Sequence, residues 1–383
     1  MNRFEDLGLK ENLLEGIYKY GFEQPSYVQA NGIPPIVEKR DCIIQSQSGT
    51  GKTGTFIIGI LQNVDPELKE LQSIVIAPTR ELVKQTYKVL HELSSTLNIK
   101  IMYLIGGVKV SKDIKDYKRL QPQIIVSTPG RLYDLMSNDV ISTKYTSSLV
   151  LDEADELLTG NFKDQLYNIF RSLENHENIQ VILVSATIPP EIRDLSAKIL
   201  RDPVEILVKN ENLTLEGIKQ YVVYYDSQRH TQEMNNKLQC LLHILENIAF
   251  SQTIIYINTR KTCEYLSNKL NDLEFVNSII HSDMSQYDRS HNMTNFKNGS
   301  TRILITTDLM ARGIDVQQIS MVINYEMPFT NEVYLHRSGR SGRYGRKGIC
   351  INFVYYKKND IIRNLEQFYN TFICELPEDL DLS

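Results

Sequence analysis

Short apolar runs recur along the chain, and they are continuous where a half-exposed strand would alternate. In the first half they are DCIIQ (41–45), SIVIAP (73–78), IKIMYLI (99–105), QIIVS (123–127), SLVLD (148–152) and QVILVSA (180–186). Such runs predict strands of a parallel sheet covered on both faces. Stretches of helical period lie between them, such as RELVKQTYKVLHELSS at 80–95. After VEILVKNENLTLEGIKQ the pattern starts again with YVVYY (221–225), TIIYIN (253–258), VNSII (276–280), RILITT (302–307), MVINY (321–325) and CINFVYY (350–356). The expected fold class is therefore α/β: two units in tandem, each a parallel sheet covered by helices, with a polar joint in KNENLTLEGI at 209–218.

A length of 383 residues suits two such domains, each with its own core. No apolar stretch has the length of a signal peptide core or a membrane span. The five cysteines lack CxxC spacing and the seven histidines form no ligand cluster, so neither a zinc site nor a disulfide framework is indicated. A reducing, intracellular setting is the expectation. The net charge of −5 argues against a general basic surface for nucleic acid. Any grip on a polyanion must be local, and the densest basic run is HRSGRSGRYGRKG at 336–348.

The candidate chemistry begins at SQSGTGKT (46–53), between an apolar run and a helical stretch. This carries the second half of a phosphate-loop pattern, with Ser46 in place of its first glycine. Gly49 and Gly51 let the backbone turn N–H groups onto phosphate oxygens, joined there by Ser48 and Thr50. Lys52 suits the β- and γ-phosphates, and the Thr53 hydroxyl suits Mg²⁺. Against this stands a chance GKT in an ordinary loop. The run SLVLDEADELL then closes a strand on Asp152, Glu153 and Asp155. Two readings fit that crowd of charge: a solvated turn with helix-capping acids, or one acid for Mg²⁺ (Asp152, largely through water) and one for the attacking water (Glu153). A phosphate loop upstream favours the second.

Taken together, these motifs resemble the DEAD-box ATP-dependent RNA helicases from end to end, DEAD itself standing at 152–155. The resemblance implies two tandem RecA-like domains, 1–208 and 219–383, joined by a linker at 209–218, and ATP with Mg²⁺ as cofactors. Within GFEQPSYVQ (21–29), Phe22 would stack on adenine and Gln29 would read its edge. PTREL (78–82), Gly106-Gly107 and TPGR (128–131) match the family's RNA-backbone motifs, which assigns Pro78, Thr79, Arg80, Gly106, Gly107, Thr128, Gly130 and Arg131 to RNA. Hydroxyls, guanidinium groups and closely approaching backbone are suited to phosphates. Ser185 and Thr187, in SAT, would couple the γ-phosphate state to RNA binding, together with Asp155 and His336. Asn258-Thr259, also assigned to RNA, ends a strand expected to stand where the first unit carries its phosphate loop, and no GKT follows. Gln286, Arg289 and TTDLMARGIDV (306–316) continue the pattern, with Arg289 and Thr307 for RNA and Asp315 for the ATP ribose. Arg340 and Arg343 would act as arginine fingers on the γ-phosphate. Ser338 replaces the family's usual apolar residue, for which a changed packing contact is expected and no loss of activity.

GLKENLLEGIYKYGFEQPS, SQSGTGKTGTF, LTLEGIKQ and GRSGRYGRKGICINFV resemble the translation initiation factor 4A branch. Ser46 and Tyr344 lean toward its nuclear members, in exon-junction assembly or ribosomal-RNA processing. The implied partners are single-stranded RNA, short RNA duplexes and protein regulators of scaffold or exon-junction type, with the chain a monomer. The implied action is local duplex unwinding or remodelling of RNA–protein complexes. The alternative is an ATP-locked RNA clamp whose hydrolysis partners suppress.

Overall fold

The computed structural model describes residues 3–46, 50–158, 162–174, 176–207, 218–225, 230–308, 319–341, 348–356 and 360–377, without the side chains at 191, 230–234, 286 and 332. Ser48, Gly49, Asp315 and Arg343 lie outside the described residues, as does the side chain of Gln286. The chain divides by its internal contacts into two compact units, Met1–Lys209 and Asn210–Ser383.

In the first unit the strands are β1 (Cys42–Gln45), β2 (Ser73–Ile76), β3 (Ile101–Leu104), β4 (Ile124–Ser127), β5 (Ser148–Asp152), β6 (Gln180–Ser185) and β7 (Val204–Leu207). They form a seven-stranded sheet in the order β3-β4-β2-β5-β6-β1-β7, and every pairing is parallel. Its helices are α1 (Glu11–Tyr20), α2 (Tyr27–Val37), α3 (Lys52–Asn63), α4 (Arg80–Leu93), α5 (Val110–Leu120), α6 (Pro129–Ser137), α7 (Ala154–Leu157), α8 (Lys163–Arg171) and α9 (Pro190–Ser196). Successive residues of one strand enter different cores, which is why the runs are unbroken: Ile44, Val150 and Ile182 pack with α1 to α4, while Ile43, Leu149, Leu151 and Leu183 pack with α6, α8 and α9.

The second unit repeats the plan. Its strands are β8 (Ile218–Tyr225), β9 (Gln252–Tyr256), β10 (Asn277–Ile280), β11 (Ile303–Thr306), β12 (Ile319–Asn324), β13 (Gly348–Tyr355) and β14 (Cys374–Glu375). They are again all parallel, in the order β10-β11-β9-β12-β13-β8-β14. Among its helices are α10 (His230–Asn247), α11 (Arg260–Asp272) and α12 (Gln286–Lys297), followed by Asn331–Ser338 and Asp360–Tyr369. Matching the two orders position by position sets β8 opposite β1 and β9 opposite β2. This corrects one expectation. Asn258-Thr259 follows the counterpart of β2, so it answers to Thr79-Arg80 and not to the phosphate loop.

The apolar runs do not mark β7 and β14. Val204–Leu207 is a half-buried edge strand interrupted by exposed Glu205, and Cys374–Glu375 is an exposed strand of only two residues.

Ile182, central in the first sheet and fully buried, tests this packing. Ile182→Ala should cost about 2–5 kcal/mol, read as a lower denaturant midpoint for unfolding of the first unit.

Candidate nucleotide and RNA site

The parallel sheet delivers its loops to one edge, the carboxyl ends of the strands. Three neighbouring strands, β5, β6 and β1, end in Asp152, Ser185 and the phosphate-loop segment. Lys52 opens α3 and is buried, its ammonium donating to the carbonyl of Ser46. Ser46, the departure from the loop pattern, is itself fully buried and takes part: its hydroxyl meets Thr50 Oγ1 at 2.5 Å. Gly51, at φ 99°, sits in the left-handed region, so the turn into α3 calls for glycine. A Cβ on Gly51 would stand 3.0 Å from Gln29 Nε2, and one on Gly54 would stand 3.1 Å from the Phe22 ring. Phe22 and Gln29, distant in sequence from α3, therefore lie at its first turn beside half-buried Thr53. Gln29 is held by a capping box. Ser26 N donates to its Oε1 at 2.8 Å, and Ser26 Oγ accepts from Gln29 N at 3.3 Å.

Asp152 is buried at the end of β5, with Oδ1 accepting from Glu153 N at 3.1 Å and Oδ2 without a hydrogen-bond partner. Burial and the adjacent Glu153 charge push its carboxyl up to about 7, with Lys52 pulling the other way. Glu153 turns through the left-handed region, φ 54°, and its buried Oε2 also lacks a partner. A non-glycine residue there is strained by about 1–2 kcal/mol. Asp155 is otherwise engaged: its Oδ2 accepts from Thr187 Oγ1 at 2.7 Å and its Oδ1 from Glu156 N at 3.1 Å. Ser185 Oγ donates to Thr187 O at 2.7 Å, so DEAD and SAT form one hydrogen-bonded cluster.

Three more strands on the other side of the sheet, β3, β4 and β2, end in the segments assigned to RNA. Thr79 is buried and caps α4 by accepting from Leu82 N at 3.2 Å, just after buried Pro78. Arg80 lies against the turn after β3: Cβ atoms on Gly106 and Gly107 would come within 3.1 and 2.7 Å of its guanidinium nitrogens. Gly107 also has φ 86°. Thr128 is half-buried with no capping bond, and Gly130 is exposed. Arg131 is turned inward, against the expectation that it offers its guanidinium to phosphate. It is buried, pairs with Asp113 and donates through Nη2 to Val108 O at 2.8 Å.

In the second unit, Thr259 caps α11 by accepting from Thr262 N at 3.2 Å, as Thr79 caps α4. Arg260 pairs with Asp283 in the loop after β10, as Arg80 reaches the loop after β3; it was not singled out in the sequence, and the repeated Thr-Arg pair was the available signal. Arg289 donates to Met284 O at 3.0 Å and Ser282 O at 2.7 Å, and half-buried Thr307 follows β11. His336 belongs to the helix Asn331–Ser338, and Arg340, just beyond it, donates through Nε to His336 O at 3.3 Å.

The segments 26–195 match the DEAD/DEAH box helicase family model, and 236–345 match the helicase conserved C-terminal domain. The chain belongs to the DEAD-box helicases. It is an ATP-dependent RNA helicase, and its two sheets are tandem RecA-like domains. It is 46% identical over 378 residues to "ATP-dependent RNA helicase eIF4A" of Lodderomyces elongisporus, covering 99% of this chain and 93% of the relative. S. cerevisiae Dbp5 bound to RNA and ADP BeF3 superposes with TM-score 0.90 at 32% identity, over 99% of this chain and 96% of that one. A Dbp5 variant bound to Gle1 and IP6 superposes with TM-score 0.78 at 32% identity, over 98% and 95%.

The helicase also carries a hub that sequence reasoning missed. Arg337 is 1% exposed, and all five of its N–H donors are used: on both oxygens of Asp308, on Asn324 Oδ1, on Glu326 O and on Asn258 Oδ1. Its guanidinium also lies 5.0 Å from the Tyr256 ring centre. It thus ties the ends of β9, β11 and β12 to one helix, and it takes up the side chain of Asn258. Residue type does not separate Arg337 from Arg340, and both are buried. Ser338 is fully buried with Oγ 3.2 Å from Cys350 Sγ, a polar contact in place of an apolar one. Among the described residues no helix is long and apolar enough to cross a membrane.

A raised Asp152 carboxyl has a defined effect on stability. The contribution of its protonated form is complete below the ordinary value of 3.8 and is lost as pH rises through about 7. Asp152→Asn, neutral throughout, should gain in melting temperature over the nucleotide-free wild type, and the gain should widen between about pH 4 and pH 8.

Proposed function

We propose that the first unit holds ATP at the adjoining ends of β1, β5 and β6, and RNA backbone at the ends of β2, β3 and β4. The observation that carries this reading is the sheet order, which gathers Lys52, Asp152 and Ser185 on one side and Thr79-Arg80, Gly106-Gly107 and Thr128 on the other. Phe22 stacks on the base and Gln29 reads its edge, since both lie at the first turn of α3. Lys52 meets the β- and γ-phosphates. The hydroxyl of Thr53 and the unpartnered Oδ2 of Asp152 are hard oxygen donors that fit Mg²⁺ held largely through water. When bound, Mg²⁺ would supply charge neutralisation on the phosphates. Glu153, whose buried Oε2 has no hydrogen-bond partner, orients the attacking water. Arg340 and Arg343 donate to the transferring phosphoryl group, and Asp315 meets the ribose. The Asp155–Thr187 bond supports Asp155 as the link between hydrolysis and RNA grip.

Contacts made to phosphates and sugars give largely sequence-independent RNA binding. Protein regulators of scaffold type are supported by the likeness to eIF4A and to a Dbp5 solved with Gle1. A nuclear role rests on Ser46 and Tyr344, and a monomeric state is part of the same reading.

Two measurements test the two halves. Glu153→Gln should keep ATP and RNA affinity while kcat for RNA-stimulated hydrolysis falls by about 10²–10³-fold; turnover near wild type would remove Glu153 from the chemistry. Arg80→Ala should weaken single-stranded RNA binding and flatten its dependence on salt by about 0.7 in log–log slope, one lost phosphate contact.

A further inference from the structure

We propose that Asp113 and Arg131 form a positioning pair that holds two RNA-facing loops in register, and that Arg131 serves RNA binding through this pair without touching RNA. The inference rests on the reading that the ends of β3 and β4 face RNA. Arg131 is the third residue of α6, yet its side chain is only 7% exposed. One guanidinium nitrogen pairs with Asp113 on α5 and the other donates to Val108 O at 2.8 Å. Val108 follows Gly106-Gly107 directly, so one planar cation joins the start of α6 to the turn after β3 and to the helix behind it.

The helix α5 points the same way. On this largely polar helix Asp113 is the one buried residue, beside half-buried Ile114, Tyr117 and Leu120, which pack on the core. Burial pushes the Asp113 carboxyl up while Arg131 holds it down, as for an acid whose charge depends on one cation. From the other side Arg80 lies over Gly106 and Gly107. The glycine turn is thus held between two arginines. One of them is the proposed RNA ligand, and the other is committed to Asp113. Thr128 and the backbone N–H groups that open α6 are left to meet phosphate there. Removing one partner of a buried pair strands the other charge, and a stranded charge moves its loop.

The pair and a direct contact differ in sign. Asp113→Asn removes a negative charge from a polyanion-binding face, which by charge alone would tighten RNA binding. The positioning pair demands the opposite. Binding of a fluorescent single-stranded RNA across a KCl series, together with RNA-stimulated ATPase kinetics, separates them. Asp113→Asn and Arg131→Met should each raise the RNA Kd and KM by roughly tenfold, with kcat at saturating RNA and the salt slope unchanged. Asp113→Glu, which keeps the ion pair, should stay within about twofold of wild type. The double variant Asp113→Leu/Arg131→Met leaves no stranded charge and should be no worse than either single one; it also serves where a single variant melts too low to assay. Wild-type or tighter RNA binding by Asp113→Asn overturns the proposal, as does a salt slope that falls by about 0.7 in Arg131→Met, the mark of a lost phosphate contact. If Arg80→Ala also leaves RNA binding intact, the reading of this face fails, and the positioning pair fails with it.

Discussion

Parallel pairing is the constraint on which the rest of this molecule depends. Strands that all run one way must return by crossover helices, so every loop that leads into a helix leaves from the same edge of the sheet. That edge collects helix N-termini, with their unpaired N–H groups and partial positive charge. Anions are welcome there before any side chain is chosen. Sheet order then decides which loops are neighbours. In the first unit it sets Lys52, Asp152 and Ser185 on one side of the edge and Thr79-Arg80, Gly106-Gly107 and Thr128 on the other, all on one frame.

Much of this was legible in the chain because the physics is local. Unbroken apolar runs marked the strands covered on both faces, and GKT and DEAD announced themselves by residue type at strand ends. Edge strands escaped, since Val204–Leu207 buries too little to need a continuous run. The roles of individual arginines were harder. Arg80, Arg131, Arg337 and Arg340 look alike as letters, but the last three are buried, and Arg131 and Arg337 pair with Asp113 and Asp308. Which cation faces inward is settled by a carboxylate far away in sequence, and no local pattern reports it.

The repeat between the units was visible as a rhythm but was misaligned by one strand. Counting strand positions, Thr259-Arg260 answers to Thr79-Arg80, with the same capping bond and the same reach to the loop after the next strand in sequence, two places away in the sheet. For the phosphate loop the sequence offers no such echo, since DSQRHTQ after β8 contains no GKT.

The capping box at Ser26 and Gln29 reaches beyond the start of α2. With Oε1 receiving the Ser26 N–H, the amide has a fixed sense, and its NH₂ group is turned toward Gly51 and Gly54. A donor so placed is met by an acceptor on the ligand, and N7 is one on any purine. A base demanding the reversed amide would have to break the helix cap, which is worth about 1 kcal/mol. The same bond that begins a helix thereby sets, in folding energy, which hydrogen-bonding face Gln29 can show.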